Sequence, residues 1–183
     1  AEHFTTFGCE FIVCDFRGYG RSEGVPTLKS TLIDASTIYC YLRENKILKE
    51  NVCVMGRSLG SASAIELCAR FSQITCCIIE SGYADPIPLV ERRGLNVISI
   101  TVAENALFSN SEKIRLVKCP ILIMHGEMDS LISPMEAKLN YKNASSIHKK
   151  LAMLEGVGHN DIMMARDNAY FSSLSSFFSQ VFR

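Results

Sequence analysis

Tryptophan is absent, and histidine is so scarce that four positions, His3, His125, His148 and His159, exhaust the imidazoles. Any reaction that needs a proton carrier near neutral pH draws on that short list. No apolar run approaches the ~20 residues of a membrane-spanning helix, so no transmembrane segment is expected. Net charge is missing too: nineteen basic residues offset nineteen acidic ones, and the Lys149, Lys150 pair is too short to form a basic patch. Without a field of one sign, nothing steers the chain to nucleic acid or to an anionic membrane surface. CxxC spacings and Cys/His pairs with zinc-ligand spacing are lacking, so neither metal nor cofactor is expected. There is no internal repeat, low-complexity tract or interdomain linker. With 183 residues, 48% of them apolar, the chain can bury one sizeable core and has room for a single domain, 1–183.

Cysteine, by contrast, is frequent, at eight positions. Cys14, Cys53, Cys76 and Cys77 lie in apolar runs of strand character, Cys40 and Cys68 in helical patterns, and Cys119 just before Pro120. They read as small core residues, and a scatter of buried thiols fits a reducing, cytoplasmic location. On a strand, adjacent Cys76 and Cys77 face opposite sides.

Apolar runs near 10–15, 52–55, 74–80, 120–125 and 150–154 alternate with helical patterns. Such alternation predicts an α/β fold, a mostly parallel sheet with helices on both faces. Leu28, Leu32, Ala35, Ile38, Tyr39 and Leu42 recur at helical spacing after Pro26 and Thr27. A shorter helix is predicted over 134–141, and a long one over 161–182 with Asp161 as its N-cap and Phe171, Phe177, Phe178 and Phe182 as a core stripe. Residues 82–119 lack a clear strand; their apolar content (Ile98, Ile100, Val102, Ala106, Leu107, Phe108) either roofs a cleft as a small cap-like insertion or completes the core.

The most informative feature is the string Gly56, Arg57, Ser58, Leu59, Gly60, which closes the run at 51–55 and opens the helical pattern of 61–71. As a string it is weak. Its strand-then-helix context makes Ser58 a candidate nucleophile on a sharp elbow, where flanking glycines let neighbouring backbone approach closely. The first free N–H groups of the helix then point at the reacting centre, and that of Leu59 is a candidate oxyanion donor.

A serine there needs a base and an acid. His159 sits in the loop Gly156, Val157, Gly158, His159, Asn160, Asp161, after a strand candidate, and is the candidate base. His125 ends a very apolar run and reads as a buried, hydrogen-bonded strand-end residue; His148, beside two lysines, reads as solvated; His3 cannot be judged from its surroundings. For the acid, Asp129 in Gly126, Glu127, Met128, Asp129 is preferred, with Glu127 as competitor or turn residue.

The order Ser58, Asp129, His159, each just after a predicted strand, is that of the α/β-hydrolases. The chain resembles that superfamily, and within it the small serine hydrolases of the Bem46-like and abhydrolase type. The resemblance is carried by GRSLG, by FIVCDFRGYGRSEG at 11–24 and by PILIMHGEMD at 120–129. It implies nucleophile, acid and base roles for Ser58, Asp129 and His159. The DFRGYGRS segment is then structural, with Gly18 and Gly20 making a tight loop and Arg17 and Arg21 fixing it by salt bridges or, alternatively, anchoring substrate. The resemblance starts late in the fold. Residues 1–7 correspond to the tail of the family's first helix, which places its first three strands before Ala1 and makes the chain a fragment of a longer product. The loop after the third strand normally gives a second oxyanion donor, and losing one such donor costs about 10² to 10³ in turnover. The third strand also lies between the fourth and fifth in that family, so the run at 10–15 either pairs directly with the run at 51–55 or leaves its hydrogen-bonding edge open.

These readings imply a serine hydrolase cleaving a carboxylic ester, thioester or related acyl bond of a small-molecule or lipid substrate, with amides not ruled out by the chemistry. The alternative is a catalytically weak or inactive member that keeps the fold as a binding module. Substrate identity and oligomeric state are not written in these residues.

Overall fold

The computed structural model describes residues 2–92 and 101–182. In chain order the elements are α1 (Glu2–Thr5), α2 (Leu28–Glu44), β1 (Cys53–Arg57), α3 (Gly60–Arg70), β2 (Cys76–Glu80), α4 (Pro86–Arg92), α5 (Val102–Phe108), α6 (Asn110–Lys113), β3 (Ile121–Gly126), α7 (Pro134–Asn143), β4 (Lys149–Leu154) and α8 (Ala169–Val181), with 3₁₀ turns at Ile114–Leu116, Ile162–Met164 and Arg166–Asn168. The four strands among the described residues pair in parallel in the order β1-β2-β3-β4. This is the α/β class that the alternation predicts.

Side-chain alternation along the strands splits the core in two. Cys77, Ile79, Ile121 and Ile123 face a layer built by α2, α3 and α7, including Ala35, Tyr39, Ile65, Leu67 and Ala137. Cys76, Ile78, Leu122 and Met124 face the opposite layer, where Phe4 of α1 and Tyr170, Leu174 and Phe177 of α8 close the sheet. Cys76 and Cys77 thus point to opposite faces. Because both faces are covered, β2 and β3 are buried at every position, which is why they read as unbroken apolar runs. A smaller cluster of Leu32, Ala62, Tyr83, Phe108 and Ile132 joins the end of α5 to the main core. Ile98 and Ile100 lie outside the described residues.

Helix α2 starts where Pro26 and Thr27 place it. The Thr27 hydroxyl accepts the Ser30 N–H at 3.0 Å and the Ser30 hydroxyl accepts the Thr27 N–H at 2.9 Å, a reciprocal cap that satisfies two donors. Preceding it, Gly18 and Gly20 have φ of 75° and 53°, and a Cβ on Gly20 would lie 2.0 Å from the Asp15 carboxylate. Arg17 pairs with Asp34 of α2, its Nε 2.8 Å from Oδ1, and so fixes the loop. The Arg21 N–H donates to Asp15.

Two expectations are corrected. Residues 10–15 form no strand. No ladder partner lies beside them among the described residues, so Phe11, Ile12 and Val13 are 44%, 44% and 74% exposed, Cys14 is exposed, and Phe11 instead stacks on Phe4 at 5.1 Å. The long helix predicted over 161–182 is also shorter. Asp167 and Asn168 hold left-handed φ of 53° and 56°, which a right-handed helix cannot run through, so α8 starts at Ala169 after two 3₁₀ turns. Asp161 does not cap it; its carboxylate accepts the Gly158 N–H at 2.7 Å. On α8 Phe177 is buried and Phe171 and Phe178 pack against the same cluster, while Phe182 is 37% exposed just beyond the helix.

Two substitutions separate these environments in urea denaturation. Val13→Ser will change stability by no more than about 0.5 kcal/mol, since no packing is lost. Ile123→Ala, in the middle of β3, will lower it by about 2 to 5 kcal/mol.

Candidate functional site

Parallel strands put all their C-terminal ends on one rim, and the loops leaving that rim carry every candidate. Ser58 follows the last residue of β1 with φ of 53°, a left-handed conformation costing about 1 to 3 kcal/mol for a non-glycine residue. The fold holds it there from both sides. Its N–H donates to the Glu80 carbonyl at 2.9 Å, and its carbonyl accepts the Ser61 N–H at 3.0 Å as α3 begins. Gly56 has the close approach expected of it, since a Cβ there would lie 2.4 Å from the Gly60 carbonyl and 2.7 Å from the Ala64 Cβ. Gly60 differs: a Cβ on it would meet nothing within 4 Å. Leu59 is the N-cap of α3, and its N–H precedes the helix's own hydrogen bonds.

The histidine loop leaves β4 and folds back over the end of β3. A Cβ on Gly126 would lie 2.4 Å from the Val157 carbonyl and 2.7 Å from that of Gly158, so only glycine lets the loop lie this close. Met128 N–H to Val157 carbonyl, 2.9 Å, secures it. His159 is 8% exposed, with Nδ1 2.7 Å from Asp129 Oδ2 and Nε2 3.0 Å from Ser58 Oγ. With Nδ1–H donating to the carboxylate, Nε2 is free to accept the serine proton. Ser58, His159 and Asp129 therefore form one hydrogen-bonded row, although 101 residues separate the first two in sequence.

Asp129 is 4% exposed and fully used. Oδ1 accepts the N–H groups of Leu131 at 2.9 Å and Ile132 at 2.8 Å. Oδ2 takes His159 and lies 3.2 Å from His125 Nε2. Glu127 is exposed, and the carboxylate that reaches His159 is that of Asp129. His125 is the buried strand-end residue expected, with Nε2 2.9 Å from the Ile132 carbonyl and Nδ1 buried without a hydrogen-bond partner. Its contact with Asp129 was not legible beforehand; the spacing of four between the two residues is the signal that points to it. His148 is exposed, and the His3 side chain lies outside the described residues.

Four more polar residues, Arg57, Asn160, Glu80 and Tyr170, complete the surroundings, and no sequence motif marks them. The Arg57 Nη2 donates to the His159 carbonyl at 2.6 Å and to Asn160 Oδ1 at 3.0 Å, its Nε lies 3.0 Å from Glu80 Oε1, and Tyr170 donates to Glu80 Oε2 at 2.6 Å. Burial and the neighbouring carboxylate push the Tyr170 hydroxyl far above the ordinary phenol range, so it stays a donor. A carboxylate at the end of the apolar run Ile78, Ile79, Glu80 was the available sign. Among the described residues, no group of three or more His, Cys, Asp or Glu is arranged to hold a metal ion. No helix among them is long and apolar enough to cross a membrane.

The chain has counterparts in sequence and in fold among known proteins. The chain is 30% identical over 183 residues to the protein bem46 of Schizosaccharomyces pombe, covering 97% of this chain and 60% of that protein. It is 29% identical over 176 residues to alpha/beta hydrolase domain-containing protein 17B of Homo sapiens, covering 94% and 57%. Among solved structures, the Pyrococcus furiosus esterase Pf2001 superposes with a TM-score of 0.73 at 19% identity, over 92% of this chain and 70% of that one. The chain has the fold of the α/β-hydrolases and is similar in sequence to a protein named for that domain. No family model matches the chain. It spans about three fifths of the length of the two relatives.

The buried imidazole of His125 gives the fold a pH signature. Burial holds it below its ordinary value, against the opposing pull of the Ile132 carbonyl and Asp129. The unfolded chain therefore binds the extra proton first, near pH 6.5, so this residue's contribution is complete above that pH and is lost as pH falls below it. Denaturation midpoints between pH 7 and 5 will fall less steeply for His125→Gln than for the wild type.

Proposed function

We propose that the protein is a serine hydrolase acting on a carboxylic ester, thioester or related acyl bond, with Ser58 as nucleophile, His159 as general base and Asp129 as the orienting acid. The observation that carries this reading is the row of hydrogen bonds, 3.0 Å from Ser58 Oγ to His159 Nε2 and 2.7 Å from His159 Nδ1 to Asp129 Oδ2, mounted on a strained elbow. The esterase neighbours support it by fold, and the relative named for an alpha/beta hydrolase domain supports it by sequence.

The steps follow from the geometry. As Ser58 Oγ attacks the acyl carbonyl, its proton passes to His159 Nε2, and the imidazolium formed is stabilised by Asp129 through Nδ1–H. The carbonyl oxygen becomes an oxyanion at the start of α3, where the Leu59 N–H is the proposed donor. His159 returns the proton to the leaving group, and an acyl ester of Ser58 remains. Water, deprotonated by the same imidazole, then releases the acid. No cofactor enters this sequence. A small-molecule or lipid acyl group is the proposed substrate. The free state of all eight cysteines supports a reducing, cytoplasmic setting.

A fluorophosphonate probe will label the intact protein at Ser58, and Ser58→Ala will abolish the label. His159→Ala will slow labelling by about 10² to 10⁴, the usual contribution of a positioned base. An unlabelled, folded wild type would overturn the proposal in favour of the binding module.

A further inference from the structure

We propose that Arg57 is a positioning residue for the general base, tying the backbone of the histidine loop to the strand that carries the nucleophile. This rests on the serine-hydrolase reading above. Arg57 and Glu80 are register partners at the C-terminal ends of β1 and β2. From there one residue controls two distances. The Glu80 carbonyl accepts the Ser58 N–H at 2.9 Å, fixing the elbow. Its side chain, 1% exposed, lies 3.0 Å from Arg57 Nε, and the Arg57 Nη2 reaches across to the His159 carbonyl and the Asn160 side chain.

The guanidinium is suited to this because its nitrogens diverge in one plane. Nε stands in ion-pair contact with Glu80 Oε1, which accepts no hydrogen bond, while Nη2 donates to the loop, a division that a single ammonium cannot reproduce. Glu80 is held in turn. Its other oxygen accepts the Tyr170 hydroxyl of α8, so a buried carboxylate that would be costly alone has a cation on one side and a donor on the other.

The rest of the loop is anchored on the far side of the site. Val157 is bonded to Met128, Gly158 to Asp161 within the loop, and the imidazole to Asp129. On the Ser58 side, among the described residues, His159 and Asn160 are held by the two hydrogen bonds from Arg57 and by the Oγ–Nε2 contact itself. Without Arg57, the loop keeps its hold on β3 and loses its hold on β1. The imidazole then stays oriented by Asp129 at a less well-defined distance from Oγ, and a misplacement of about 1 Å costs up to about 10² in rate.

The Arg57 side chain is also 43% exposed, so the competing role is a direct grip on substrate. Steady-state hydrolysis of p-nitrophenyl butyrate by the intact, unlabelled protein separates the two, with fluorophosphonate labelling run on separate samples of the wild type and the variant. Arg57→Met is expected to lower kcat about 10- to 100-fold with KM within about 2-fold of wild type. Arg57→Lys recovers part of kcat. Asn160→Ala, at an exposed position, lowers kcat a few-fold alone and adds nothing in the Arg57→Met background, because both act through one link. If Arg57→Met gives no cooperative melt, Asn160→Ala decides, and an unchanged kcat there overturns the proposal. So does a raised KM with kcat retained in Arg57→Met, or losses that multiply in the double variant. A wild type that takes no label refutes the serine-hydrolase reading and this inference with it; a labelled wild type matched by Arg57→Met refutes this inference alone.

Discussion

The Asp129 carboxylate is where the fold and the site meet. One oxygen is saturated by the N–H groups of Leu131 and Ile132, which closes the turn after β3 and aims the other oxygen at the imidazoles of His159 and His125. A buried anion is tolerated here because three hydrogen-bond donors meet it. Remove the turn and the carboxylate loses its aim; remove the carboxylate and the turn loses two hydrogen bonds. The orientation of His159, and through it the state of Ser58, depends on this one group.

The sheet makes such a convergence possible at low cost. Four parallel strands, covered on both faces, bring three loops to a common rim, and glycine at Gly56 and Gly126 removes the side chains that would otherwise separate strand from helix and loop from strand. The left-handed backbone at Ser58 is unfavourable in isolation. It persists because β2 holds its N–H and α3 holds its carbonyl, so the strain is set against packing that is already formed.

Much of this is written locally in the chain. The elbow is readable because a strand pattern, a glycine-flanked serine and a helix pattern abut within about twenty residues, and His159 is readable because few histidines compete with it. The run at 10–15 shows the limit. Its apolar residues look the same whether or not a neighbour offers a ladder, and strand character is a property of the pair, so exposure of Val13 could not be inferred from its own segment. The break before α8 was hidden for a different reason: Asp167 and Asn168 are common turn residues, yet the apolar spacing on either side of them continues. The partnership of Arg57 and Glu80 is not legible in the sequence because it exists only through the β1–β2 register. The burial of His125 is legible in its apolar run, but its approach to Asp129 depends on how tightly the following turn closes.

Proton NMR of the intact protein near neutral pH tests the central claim most directly, since the bond between His159 Nδ1 and Asp129 Oδ2 shields its proton from exchange and draws it far downfield. The account predicts a far-downfield imidazole N–H line that survives Ser58→Ala and vanishes in His159→Gln. A wild-type spectrum whose downfield imidazole lines are all unchanged by His159→Gln would contradict it.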